Sequence, residues 1–398
     1  MKSIFNIGCF GKYKEKNISV LMKKEGKMKK GILAFSLLVV LLFAFSVPVW
    51  AEEEKKPVAV TVDDIKKMLG LSIYLQEGYT YNSESPDSQE NDFRVFDHKA
   101  NSFTLDLAEL VFTREAPVGG VGYRLKLSAG ETAKFIHSAG LGNSDQPFDI
   151  TEAYIDYVAP LGSGLKLRFG KFVTYIGAEV IEARDNFNYS RSFLFNYAIP
   201  FTHTGLMAGY TFNDKLSAAA YLVNGWDNSS DEGQSKSLGA SVTVTPISPV
   251  SLIFNVINGR EADAVTGTEP NRFVFDWIGT VKAAENFTFL VNTDYGVEDS
   301  ALADGKDAKW YGIAGCAKYD FTKLFSISGR AEYFRDGQGV RTGTPQALKE
   351  VTITPEVRVT DTLLVKPEYR HDWSNVKSFD SNNKKSQDTI ALAVMYTW

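Results

Sequence analysis

From residue 71 onward the chain alternates large apolar residues with polar or small ones at a period of two. The final stretch, QDTIALAVMYTW, places Ile390, Leu392, Val394, Tyr396 and Trp398 on one side, and Thr389, Ala391, Ala393, Met395 and Thr397 on the other. In GYRLKLS, Tyr123, Leu125 and Leu127 alternate with Arg124, Lys126 and Ser128. In EVTITPEVRV, Val351, Ile353, Val357 and Val359 alternate with Thr352, Thr354, Glu356 and Arg358. A two-residue period is the mark of a strand with two unlike faces. The pattern predicts about sixteen strands: 71–81, 102–113, 121–130, 150–158, 165–173, 202–212, 215–224, 236–246, 250–258, 272–282, 286–295, 308–319, 324–334, 348–359, 362–371 and 387–397. Each is near the ten residues or so that a tilted membrane strand needs. One short helix precedes them in TVDDIKKMLG, where Thr61 and Asp64 have capping-box spacing.

The connections choose between a soluble sandwich and a membrane barrel. Short turns (APLGSG, ND, TPISP, DFTK) alternate with long polar segments such as NSESPDSQENDFRVFDHKAN and SNVKSFDSNNKKSQ. The two ends of a sandwich meet the same solvent and give no reason for this. A transmembrane antiparallel up-and-down β-barrel does, with short periplasmic turns and long external loops.

The face opposite the aliphatic one carries long charged side chains, too costly for a dry core unless paired but suited to a wet lumen. The expected lumen residues are Arg124, Lys126, Glu152, Asp156, Lys166, Arg168, Arg330, Glu332, Glu356, Arg358, Lys366, Glu368 and Arg370, with Asp106. Trp226, Trp310 and Trp373 fall at external strand ends and Trp398 at the periplasmic end, so all four are expected at the membrane interface.

The N-terminus changes the picture. A Lys-rich stretch, the run GILAFSLLVVLLFAFSVPVW and Ala51 have the form of a cleaved secretory signal peptide, expected over 1–51, with Met28 an alternative start. Residues 52–70 are expected to form a periplasmic segment with the short helix, and 71–398 the barrel. Cleavage takes out nine basic and two acidic residues, which moves the net charge from −5 to −12. Such a chain is not a nucleic-acid binder. Cys316 is then the one cysteine left, so no internal disulfide forms. With 27 Phe, 18 Tyr and 6 Trp and no later run long enough for a spanning helix, the expected location is a bacterial outer membrane.

Little catalytic chemistry is visible. Four histidines are present, and Ser190 with His203 is the one nucleophile–base pairing to consider. No GxSxG elbow surrounds a serine, so no enzyme is expected. DNSSDEG (227–233) and DGKD (304–307) read as solvated turns rather than metal loops, and no cofactor or metal is expected.

The longest connection, TYIGAEVIEARDNFNYSRSFLFNYAIP (174–200), is too aromatic for a solvated loop. Phe187, Tyr189, Phe193, Leu194, Phe195 and Tyr197 need cover, while Glu179, Glu182, Arg184, Asp185 and Arg191 need water or partners. Folding into the barrel meets both demands, and these five charged residues are expected to line a constriction. The competing reading is an outward loop that packs on a neighbouring subunit.

Within residues 167–227, the segments FGKFVT, DNFNYSRS, AIPFTHTG and VNGWD, together with Glu179, resemble the OmpL-like outer-membrane β-barrel porin family. ITEAYIDY, WYGIAG, RAEYFRD and the aromatic C-terminus extend the resemblance over about 71–398. It implies a water-filled channel for passive diffusion of small hydrophilic solutes, in contact with outer-membrane lipid and lipopolysaccharide. The aromatic last strand resembles the signal read by the barrel assembly machinery. The alternative function is a structural or interaction barrel, adhesin-like or plugged, and a homo-oligomer stays open.

Overall fold

The computed structural model describes residues 61–143, 146–230, 235–261, 269–302 and 304–398. The signal-peptide reading of 1–51, and residues 52–60 of the expected periplasmic segment, lie outside the described residues. A short helix, α1 (Val62–Leu69), leads into the first strand.

Sixteen strands follow. They are β1 (Leu71–Asn82), β2 (Ser102–Arg114), β3 (Val121–Ala129), β4 (Phe148–Ala159), β5 (Leu165–Val173), β6 (Thr202–Asn213), β7 (Leu216–Val223) and β8 (Ser237–Ile247). The second half comprises β9 (Val250–Arg260), β10 (Asn271–Ala284), β11 (Phe287–Glu298), β12 (Ala308–Asp320), β13 (Phe325–Asp336), β14 (Gln346–Arg358), β15 (Leu363–Ser374) and β16 (Ser386–Thr397). Each pairs antiparallel with its sequence neighbours, and β1 closes on β16 in the register Tyr74↔Thr397 through Asn82↔Thr389. Closure leaves no open edge, which a sheet in lipid requires because unpaired backbone groups there are costly. The terminal residue takes part: the backbones of Ile73 and Trp398 exchange both hydrogen bonds, at 2.8 and 2.9 Å.

The alternation read from sequence sorts the side chains. Ile390, Leu392, Val394 and Tyr396 point outward and are exposed, whereas Thr389, Ala391, Ala393 and Met395 are buried inside. Ile353 and Val351 are likewise outward, and Thr352, Thr354 and Glu356 inward. The apolar outer band is the surface that faces lipid.

Register shifts interrupt five strand pairs, and two of them bear on the lumen. Between Gln76 and Glu77 the β1–β2 register skips Asp106, and between Lys126 and Leu127 the β3–β4 register skips Thr151. An extra residue in one strand lets neighbours share a face: Asp106 and Leu107 are both buried, as are Thr151 and Glu152.

The core lies within the barrel, built largely by loops. The segment 83–101, expected as a solvated external loop, instead carries Phe93, Arg94, Val95, Phe96 and Asp97 into buried positions. Phe96 packs on Phe195 and Phe201, with centroids 5.5 Å from each. Arg94 is held by Asp97 and by Asp372 of β15 at 2.5 and 2.6 Å.

Candidate constriction site

The connection between β5 and β6 crosses the barrel interior. It contains a 3₁₀ turn at Ala183–Asp185 and a π turn at Leu194–Ala198. Its large apolar side chains are covered: Tyr189, Phe193, Leu194 and Phe195 are buried. Its backbone hydrogen-bonding groups, which would otherwise be stranded in a packed interior, find partners on the wall.

The carboxylate of Glu368 on β15 accepts the backbone N–H groups of Tyr189 (2.7 Å) and Ser190 (3.1 Å), and the Thr354 hydroxyl donates to it at 2.7 Å. Glu332 on β13 accepts those of Phe193 and Leu194, both at 2.7 Å. In the opposite sense, Lys366 donates to the carbonyls of Ala183 (2.9 Å) and Asn186 (2.5 Å). Arg370 donates to the Arg191 carbonyl at 2.6 Å, and Arg330 to that of Ser190 at 2.8 Å. Across the lumen, the Tyr189 hydroxyl donates to Asp106 at 2.6 Å. The wall charges on β13–β15 therefore grip the backbone of the loop as well as bracing one another. Their inward direction follows from the two-residue period, whereas these partners do not.

The charged loop residues divide. Glu179 pairs with Arg330 at 2.7 Å and accepts from the Ser192 hydroxyl at 2.5 Å. Glu182 pairs with Lys126 of β3. Burial works to raise the Glu182 carboxyl, but the adjacent Lys126 ammonium outweighs it and holds the group below the usual carboxylate range. Arg184 pairs with Asp185 at 3.1 Å and donates to Thr397 at 2.8 Å. These four residues line a cavity of about 320 Å³, together with Arg124, Lys126, Glu109, Glu152, Tyr74 and Tyr154.

Arg191 does not line it, a correction to the sequence reading. Its side chain is buried, and the guanidinium donates to the carbonyls of Val180, Ile181 and Tyr189, all within its own loop. Arg has five donors in a planar fork, and here the fork gathers carbonyls that the crossing chain turns toward its own interior.

The expected lumen residues take these places. Arg124 donates to Glu152 at 2.6 Å, and Asp156 pairs with Arg168 (2.8 Å) and Lys166 (3.0 Å). Arg168 also lies over the Tyr154 ring, 3.6 Å from its centroid. Glu356 pairs with Lys318 (3.0 Å) and Lys366 (3.3 Å), with half-exposed Arg358 at 3.9 Å. Glu350, which the sequence reading passed over, completes the buried set with Arg330 at 2.7 Å and Arg370 at 3.7 Å. By contrast, the sector of the wall from β6 to β8 carries no charged side chain and is mostly small, with Met207 and Tyr210 the larger residues at the recess. Gly209, Ser217, Ala219, Ser241 and Thr243 border a second recess of about 360 Å³, with Lys166 at its side.

Two of the four tryptophans are not interfacial. Trp310 is fully buried on the inner face, donating its indole N–H to the Ala198 carbonyl at 3.1 Å. Trp226 packs edge-on against it at 6.3 Å. Arg341, which donates to the Tyr197 carbonyl at 2.7 Å, lies over both rings. Burial and the nearby Arg272 push the Arg341 guanidinium down to about 10. Position at a strand end suggested an interface; parity decides otherwise, since Trp310 shares its face with Ala308, Gly312 and Ala314. Trp373 is half-buried on the outer face beside His371, and Trp398 follows β16 with its ring under the Lys66 ammonium.

Ser190 and His203 do not pair with each other. The Ser190 hydroxyl is taken by Arg330 and Arg370, and His203 by Thr174 and the Gly225 carbonyl.

A closed sixteen-stranded antiparallel barrel with an apolar outer band, a charged inner face and an inward loop defines an outer-membrane porin. The chain belongs to the family described as "Putative beta-barrel porin-2, OmpL-like", whose profile matches residues 69–398. As a member it is an outer-membrane channel for solute diffusion, and family and fold point to a non-enzymatic protein. Comparison with curated protein sequences gives no match. Among solved structures, the outer-membrane channel DcaP of Acinetobacter baumannii is similar in fold at 11% identity and TM-score 0.58, over 82% of this chain and 96% of that one. An anion-selective porin from Comamonas acidovorans gives 10%, 0.57, 82% and 98%, and OprB of Pseudomonas putida 12%, 0.56, 88% and 100%.

Proposed function

We propose that the protein passes small hydrophilic solutes and ions through a passage narrowed by residues 174–200, with Glu179, Glu182, Arg184 and Asp185 as its charged lining. The observation that carries this is the fastening of the loop backbone by Glu332, Glu368, Lys366 and Arg370. These anchors lie on β13–β15, so the clear part of the lumen runs beside the small, uncharged wall of β6–β8. Fixed carboxylates and an arginine at the vestibule impose a transverse field that orients hydrated solutes. Mixed signs favour no strong preference for either ion. The barrel has no catalytic role in this reading. Residues 1–51 act as a cleaved signal peptide and 52–70 stay periplasmic, while the aromatic end at Tyr396 and Trp398 serves recognition by the assembly machinery and contact with the membrane interface. Neighbours include a structure described as a trimer form of OmpT from Vibrio cholerae, and a homo-oligomer fits the present barrel too.

A second reading has one observation in its favour. Residues 83–101 also enter the mouth, where Phe96 meets Phe195 and Phe201. With two inserted loops, a plugged barrel that acts through its surface is the alternative. Planar-bilayer recording of the refolded protein separates them: steady ohmic steps for the channel, silence for the plug.

A further inference from the structure

At the external rim of the barrel, three neighbouring strands carry basic side chains on the outer face. The long connections at 299–307, 337–345 and 375–385 mark the external end of β12–β15, opposite the short turns at 321–324 and 359–362. At that end Lys309 of β12, Arg335 of β13 and Lys349 of β14 all occupy outward positions of the two-residue period. The register brings them together. Arg335 is paired with Tyr311 on one side and Ala347 on the other, so Lys309 and Lys349 each stand two residues from one of its partners, on the same face. Diagonal neighbours of this kind lie about 7–8 Å apart, within reach of long side chains. None of the three side chains has an ion-pair or hydrogen-bond partner among the described residues. Asp388, further along the rim, is taken by His371 at 2.9 Å and by the Tyr369 hydroxyl at 2.7 Å. Other external strand ends present Tyr81, Phe103, Phe148 and Leu238 outward instead.

The geometry points to Lys309, Arg335 and Lys349 as a docking row for the phosphate groups of lipopolysaccharide in the outer leaflet. Like charges gathered on one face repel, and an anion laid across them removes that repulsion. The chemistry selects the partner. A guanidinium fork and two ammonium groups match phosphate oxygens. Aromatic rings accompany the charges: Lys349 stands between Tyr333 and Trp373 in the ladder, and the Tyr311 and Tyr333 rings lie 6.4 Å apart. Tyr and Trp sit at headgroup level in a membrane, so the rings suit the boundary between sugar and acyl chains. A free phosphate ion has no use for them or for the outward direction. The row gives the expected contact with lipopolysaccharide a place on the barrel. It rests on the outer-membrane placement and not on conduction, so an electrically silent barrel would leave it standing.

The test uses full-length mature protein refolded into phosphatidylcholine vesicles, alone or with rising bisphosphorylated lipid A, and in parallel with dephosphorylated lipid A or with inorganic phosphate. Thermal unfolding is followed by heat-modifiable mobility. The expected result is a saturable rise in unfolding temperature with the bisphosphorylated lipid, absent with the other two. A variant combining Lys309→Gln, Arg335→Gln and Lys349→Gln should bind that lipid on the order of a hundred-fold more weakly, with its stability in phosphatidylcholine unchanged. Lys349→Gln alone, weaker by about five-fold, serves if the combined variant fails to fold. Arg260→Gln, which removes a base at the external end of β9, should keep the full response. An equal rise with dephosphorylated lipid A or with inorganic phosphate overturns the proposal. So does a full response in the combined variant, or a loss in Arg260→Gln as large as in Lys349→Gln.

Discussion

Glu368 offers the sharpest handle on how the loop is held. Its carboxylate accepts two loop N–H groups and the Thr354 hydroxyl, all in buried surroundings. A hydrogen bond to a charged group contributes about 1.5–3 kcal/mol, and a stranded buried N–H costs about 1–3 kcal/mol. Glu368→Ala strips both loop amides of their acceptor, so the inward state should weaken by about 3–6 kcal/mol relative to a detached one. Each 1.4 kcal/mol or so is a factor of ten, which makes detachment about two to four orders of magnitude more frequent. Glu368→Gln keeps one acceptor oxygen and should fall about midway. Native-state hydrogen exchange at Tyr189 and Ser190, read beside single-channel noise, follows the effect. Protection should fall in the order wild type, Gln, Ala, with flickering rising in the same order. Equal protection in all three proteins would refute the idea that this carboxylate fastens the loop.

Further expectations concern the lipid face, the vestibule and assembly. Ile353→Arg, placed mid-strand on the outer surface, should cost about 2–4 kcal/mol of barrel stability in a lipid-based denaturant titration; a wild-type midpoint would contradict the outward assignment. Arg184→Gln removes the one loop arginine on the cavity wall and leaves Asp185 unpaired there, so reversal potentials in a salt gradient should move toward cation preference. An unchanged potential would remove Arg184 from the filter. Deleting Trp398 takes away the backbone exchange with Ile73 that ends the closing strand pair, and insertion followed by heat-modifiable mobility should slow.

How much of this was legible in the sequence follows from what each feature depends on. Strand count, alternation and closure depend on local period and loop length, so QDTIALAVMYTW and its relatives revealed them. The inward loop was legible because six large apolar residues between 187 and 197 cannot stay in water. The segment 83–101 carried the same kind of signal in Phe93, Val95 and Phe96, diluted by a polar surround that hid it. Arg191 was misplaced because its partners are backbone carbonyls, and sequence does not say where carbonyls point. Trp310 could have been assigned correctly, since parity puts it opposite Tyr311 and Ile313. The wall pairs such as Glu332 with the Phe193 amide join residues far apart in the chain, and no periodicity encodes them.

The proposed function requires residues 174–200 to be the constriction of an open channel. Single-channel conductance in planar bilayers, compared between the wild type and a variant with 182–194 replaced by a short Gly/Ser linker, tests this most directly. A correctly folded variant, verified by heat-modifiable mobility, should show ohmic steps of larger conductance than the wild type, because the chain crossing the lumen is gone and a sixteen-stranded barrel without it leaves a wide aqueous path. Steps of the same size in both proteins would contradict the account.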